Sequence, residues 1–85
     1  MKYLHWEMNA SPDNVIRVEL DRQANVLLMD DLNFNSFRNG QSHRYFGGLA
    51  KQSPATLVPP HTGHWNVVVN LGSYPGSVKA SVSVM

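Results

Sequence analysis

Eighty-five residues with 42% apolar side chains, 15% charged ones, a net charge of +1 and no cysteine leave room for one small core and no second. That balance excludes a disordered chain, a disulfide scaffold, a thiolate metal centre and a cysteine nucleophile. The seven Lys and Arg run from Lys2 to Lys79 with no two adjacent, so no clustered basic face is expected and nucleic acid is not an expected partner.

Ten Val, three Phe, three Tyr and two Trp beside two Glu and three Lys favour strands over helices. Residues 2–8 read as a strand with Tyr3, His5 and Glu7 opposite Leu4, Trp6 and Met8. In residues 14–21, Ile16, Val18 and Leu20 alternate with Val15, Arg17 and Glu19, one face dry and one wet. Residues 24–30 set Val26 and Leu28 against Leu27 and Met29, which predicts a strand covered on both sides. Residues 41–46 and 55–58 are short strand candidates. Residues 63–71 alternate Trp65, Val67, Val69 and Leu71 with His64, Asn66, Val68 and Asn70, and residues 77–85 alternate Val78, Ala80, Val82 and Val84 with Lys79, Ser81 and Ser83. About seven or eight short, mostly antiparallel strands predict a small all-β sandwich, which by its strand ending near Asp30 and its late strand through Trp65, Val67 and Val69 distantly resembles a jelly-roll-like β-sandwich. Its expected core is Leu4, Trp6, Ile16, Val18, Leu20, Val26, Leu28, Trp65, Val67, Val69, Val78, Ala80 and Val82.

The connections carry turn chemistry. Ser11-Pro12-Asp13-Asn14 separates the first two strands, and Arg22-Gln23 leads into the third. Gly72-Ser73-Tyr74-Pro75-Gly76 separates the last two, which are expected to form a hairpin. Residues 31–40 break the strand pattern, since Phe34 and Phe37 lie three apart and Gly40 follows where a left-handed helix cap would sit. The ring spacing favours a short helical turn that plugs one end of the sandwich; a hairpin turned at Asn39-Gly40 is the competing reading. Asp31 is the expected cap of that turn.

Few side chains stand apart from this framework. His43, His61 and His64 are three of four histidines, and neutral imidazoles at close spacing are zinc ligands when the backbone bends toward one ion. A closed zinc site needs four ligands, so no metal or other cofactor is expected unless the three converge. His43-Arg44-Tyr45-Phe46-Gly47-Gly48 joins a guanidinium fork, a phenol and two glycines. It would form a small anion or peptide pocket if Trp65 or His61 faced it; otherwise the glycines mark a bulge or turn. No serine sits in a nucleophile elbow, and no catalytic residue is assigned.

The segments NVIRVEL, ANVLLMDD, HRYFGGLAKQSP, VPPHTGHWNVVVNLG and GSVKASVSV, taken in order, resemble a bacterial family known as domain of unknown function 1883. The resemblance spans nearly the whole chain and implies a single β-sandwich domain over residues 1–85 with no established activity. Some members carry the domain beside a Toll/interleukin-receptor-type signalling domain, which implies a sensing or interaction role.

The leading expectation is a non-enzymatic binding module, contacting a protein or small molecule through His43, Arg44, Tyr45, His61 and His64. A histidine-based metal protein or enzyme and a structural homo-oligomer are the alternatives. No apolar run reaches signal-peptide or membrane-span length, so a cytoplasmic protein without a membrane partner is expected.

Overall fold

Two antiparallel sheets, described over residues 2–85 by a computed structural model, lie face to face. In chain order the elements are β1 (Leu4–Ala10), β2 (Ile16–Leu20), β3 (Ala24–Asp30), α1 (Asp31–Arg38), β4 (Phe46–Ala50), β5 (Ala55–Leu57), β6 (Gly63–Asn70) and β7 (Ala80–Val84). One sheet has the order β1-β6-β3-β4 and the other β5-β2-β7. The all-β sandwich with one short helix is therefore the observed architecture. No helix among the described residues is long and apolar enough to cross a membrane.

Between the sheets, Ile16 and Val18 from the smaller sheet meet Val26, Leu28, Trp65, Val67 and Val69 from the larger one. These are the alternating positions of β2, β3 and β6, so the period-two pattern found the main core directly. Trp6, Leu20, Val78, Ala80 and Val82 close its margins as partly buried side chains. Leu4 departs from the expected core and remains 37% exposed, because it pairs with Val69 at an end where the sheets part.

The opposite parity of β3 and β6 is also dry. Leu27, Met29 and Val68 pack beneath Phe34 and Phe37 of α1, with Tyr3 at the margin. This confirms the two-sided strand at residues 24–30 and corrects the place of the helical segment. It lies on the outer face of the larger sheet, making a third layer, and does not plug an end. Both rings point down because residues three apart share a helix face.

Eight residues are too few to hold a helix alone, so its ends must be capped and its face buried. Asp30 is the N-cap, its carboxylate accepting from the Asn33 backbone N–H at 2.8 Å; Asp31 occupies the first helical turn, contrary to its expected capping role. At the other end the Gly40 N–H donates to Phe37 and the Gln41 N–H to Ser36, with Gly40 at φ +71°. Those paired bonds close the last turn as a left-handed glycine cap, so the hairpin reading does not apply.

Two other expectations change. β6 and β7 belong to different sheets, so the Gly72–Gly76 segment crosses the sandwich and makes no hairpin. The strand expected at residues 41–46 begins only at Phe46 and runs through Gly47 and Gly48. Gly47 lies inside β4 at φ +104°, where a Cβ would overlap the Val26 carbonyl oxygen and crowd Leu57. Gly47 thus allows close backbone approach, Gly48 faces open space, and the pair does not end the strand.

Replacing Gly47 by Ala is expected to lower the urea midpoint more than Gly40→Ala. Gly40 has open space around its Cβ position and carries only the left-handed backbone cost of about 1–2 kcal/mol. Equal losses in chemical denaturation would refute the packing role assigned to Gly47.

Candidate functional site

The segment from His43 to Phe46 descends beside α1 because Asn33 holds it there. The Asn33 side-chain oxygen accepts from the Arg44 backbone N–H at 2.8 Å, while its amide nitrogen donates to Asp30. His43 then meets Phe37 edge-on at 5.2 Å between ring centroids and lies 6.0 Å from Tyr45. Its Nδ1–H donates to the Gln41 carbonyl at 3.0 Å.

The next residue continues the row on the other side of the strand. Phe46 meets the Trp65 ring edge-on at 6.2 Å, and His61 lies 4.8 Å from the same indole. The Trp65 indole N–H donates to the His61 carbonyl at 3.0 Å, which fixes the loop before β6 against it. Ring contacts thus join His43 to Tyr45 on one side and His61 to Phe46, through Trp65, on the other, while Arg44 lies beside the first pair in the segment leading into β4. Trp65 itself is a buried core ring.

β4 pairs only with β3 and is an edge strand. Phe46 and Leu49 are about half exposed along it, as is Tyr45 just before it, and Val58 is also exposed. A half-exposed aromatic and aliphatic margin beside unpaired strand backbone is where chains commonly meet.

His64 belongs to another cluster. Its Nδ1–H donates to the Asp31 carboxylate at 2.7 Å, and its Nε2 lies 3.5 Å from Glu7. Asn66, 1% exposed, completes this network. Its amide nitrogen donates to the Met29 carbonyl at 3.2 Å and to Asp31 at 2.9 Å, and its oxygen accepts from His5 Nε2 at 2.8 Å. His5 stacks on Phe34 with centroids 4.0 Å apart. The network ties β1, β3 and β6 to the first turn of α1, which is a positioning role.

The three imidazoles of His43, His61 and His64 therefore have separate partners. Among the described residues no group of three or more His, Asp or Glu side chains is placed to hold a metal ion.

Charge separates the two clusters. All six side-chain carboxylates, Glu7, Asp13, Glu19, Asp21, Asp30 and Asp31, precede residue 32. Residues 32–85 carry Arg38, Arg44, Lys51 and Lys79, three histidines and no acid. Arg44 and Lys51 are exposed, and neither forms an ion pair among the described residues. The β4 segment itself thus carries cations and no acid, and the nearest carboxylate tied to it is Asp30, through Asn33. This asymmetry is legible in the sequence, but a count of adjacent basic residues passes over it.

A second concave feature lies where the sheets part. A cleft of about 640 Å³ opens between Leu4 and Val69 on one side and the β6–β7 connection, with Tyr74 and Val78, on the other. Sequence reading missed it because Leu4 and Val78 share the core parity, and only the ending of the sheets uncovers them. An aromatic ring inside a Gly/Pro-rich connection, Tyr74, was the available signal.

The Asn66 and His64 hydrogen bonds hold the Asp31 carboxyl below its ordinary value of 3.8, against a small opposing effect of burial. A lowered carboxyl stabilises the folded state above that ordinary value and loses its contribution as pH falls through the folded-state value. Asp31→Asn should therefore flatten the fall in stability between about pH 5 and about pH 2, by less than about 1 kcal/mol for so exposed a pair. Matching wild-type and variant pH slopes in urea titrations would exclude this role.

A family model described as Domain of unknown function (DUF1883) matches residues 1–85. No curated protein and no solved structure matches the chain.

Proposed function

The chain belongs to the family described as domain of unknown function 1883, and from that premise we propose that it is a non-enzymatic interaction module whose β4 edge receives an acidic, extended protein segment. The observation that carries this reading is the set of half-exposed rings and exposed cations at an edge strand paired on one side only. The open edge supplies backbone donors and acceptors for an added strand, the mode in which main-chain bonds give affinity and side chains give specificity. Tyr45 and Phe46 provide ring surface at small conformational cost, and Tyr and Arg are enriched among residues that dominate interfaces.

Arg44 sets the sign of the partner. Its guanidinium matches a carboxylate in two-point geometry, and Lys51 beyond the end of β4 extends the same charge. His43 and His61 flank this edge and add donors facing an acidic partner. His64, held by Asp31 and Glu7, acts indirectly by fixing α1 and hence the segment that Asn33 carries. A single strand of nucleic acid would also use rings and cations, but a net charge of +1 gives it a weak electrostatic pull.

A fluorescent decapeptide alternating Glu with Val tests the proposal, with its Lys/Val counterpart and a dT decanucleotide as controls. The acidic peptide should shift the amide resonances of Phe46 to Ala50, bind more weakly as salt rises, and lose about tenfold in affinity with Arg44→Ala. Tighter binding of the oligonucleotide, equal binding of the basic peptide, or shifts confined to Ala80–Val84 would overturn it. Dimerisation through β4 in sedimentation, unaffected by the acidic peptide, would assign the edge to a second copy and overturn it too.

A further inference from the structure

The cleft between the parted sheets lies outside the β4 edge and the His64 network. We infer that it is a binding site for a small amphiphilic carboxylic acid, with the apolar body between the sheets and the carboxylate at Lys2. Its volume of about 640 Å³ falls within the range of about 300–1,000 Å³ usual for small-molecule sites.

The apolar part comes from the sandwich itself. Leu4 and Val69 are cross-strand partners on the inner face of the larger sheet, Leu71 follows them, and Val78 faces them from the segment entering β7. Tyr74, 65% exposed, stands at the same wall and offers a ring face to an apolar body.

Hydrogen bonds hold the wall at both ends. At its start the Gly72 N–H donates to the Asn70 side chain at 2.8 Å, and the Tyr74 N–H donates to the Leu71 carbonyl at 3.1 Å. At its end the Lys79 N–H donates to the Asp21 carboxylate at 2.8 Å, and the Asp21 N–H returns a bond to the Lys79 carbonyl at 3.1 Å. An ordered wall avoids the ordering cost that a mobile one would impose on binding.

Charge selects the ligand. Among the described residues Lys2 is the only charged one that lines the cleft, and no carboxylate lines it. Lys2 forms no ion pair among the described residues. A lysine ammonium is a compact point charge, suited to one monovalent anion; a phosphate dianion would call for further cations or a guanidinium fork. Tyr74 and Ser77 add hydroxyl groups at the lining, which can donate to a carboxylate.

The probe pair is 4-phenylbutanoate and its uncharged isostere 4-phenylbutanamide, titrated into the protein by two-dimensional NMR. Both should shift the amides of Leu4, Leu71, Tyr74 and Val78, with the acid binding about fivefold more tightly. Lys2→Met should abolish that preference while leaving the amide's affinity unchanged, and Tyr74→Ala should weaken both probes alike. Equal affinities in the wild type, or a preference that survives Lys2→Met, would overturn the carboxylate assignment. Shifts confined to β4, or none with either probe, would overturn the site itself.

Discussion

The structure depends on β3 and β6 being dry on both faces. Val26, Leu28, Val67 and Val69 point toward the smaller sheet, while Leu27, Met29 and Val68 point the other way. A four-stranded sheet exposing that second set would leave an apolar face open to water, so something must cover it. The cover is α1, placed directly after β3 by a chain that turns back over its own sheet. Phe34 and Phe37 supply the contact; truncating a ring so buried typically costs about 3–5 kcal/mol.

That arrangement sets the polar chemistry beneath it. Asn66 is on the covered face and almost wholly buried, so its amide must be satisfied there. It bonds to Met29, Asp31 and His5 and so joins three strands to the helix. His64, one step outward on the same parity, meets carboxylates from α1 and β1 at the edge of this layer. His64 is a fastening for the helix, which in turn places Arg44 through Asn33.

With the centre of the larger sheet occupied on both sides, exposed apolar surface is left to the margins. One margin is the β4 edge, where Gly47 brings the backbone close to Val26 and exposed rings flank free cations. The other is the end where the sheets part and the β6–β7 connection walls a cleft. The placement of every side-chain acid before residue 32 leaves β4 without a neighbouring carboxylate on its own segment. Both margins therefore present cations beside apolar surface, the feature on which the two proposed anionic partners rest.

Sequence by itself determined the local elements whose signals are local. The bounds of β3, the two-sided burial of residues 24–30, the glycine cap at Gly40 and the alternating cores of β2 and β6 all follow from side-chain period and backbone permissiveness. Tertiary structure decided what those signals leave open. Period two states which residues share a face, but not which sheet a strand joins, so the pairing of β6 and β7 was misread. Two adjacent aspartates look alike in a string; Asp30 caps because its backbone is still extended, and Asp31 turns to Asn66 because it is already helical. A small, cysteine-free chain has no disulfide to add to its packing. Where its few charges would gather depended on which distant segments the two sheets bring to one edge, and that is a long-range contact no local pattern encodes.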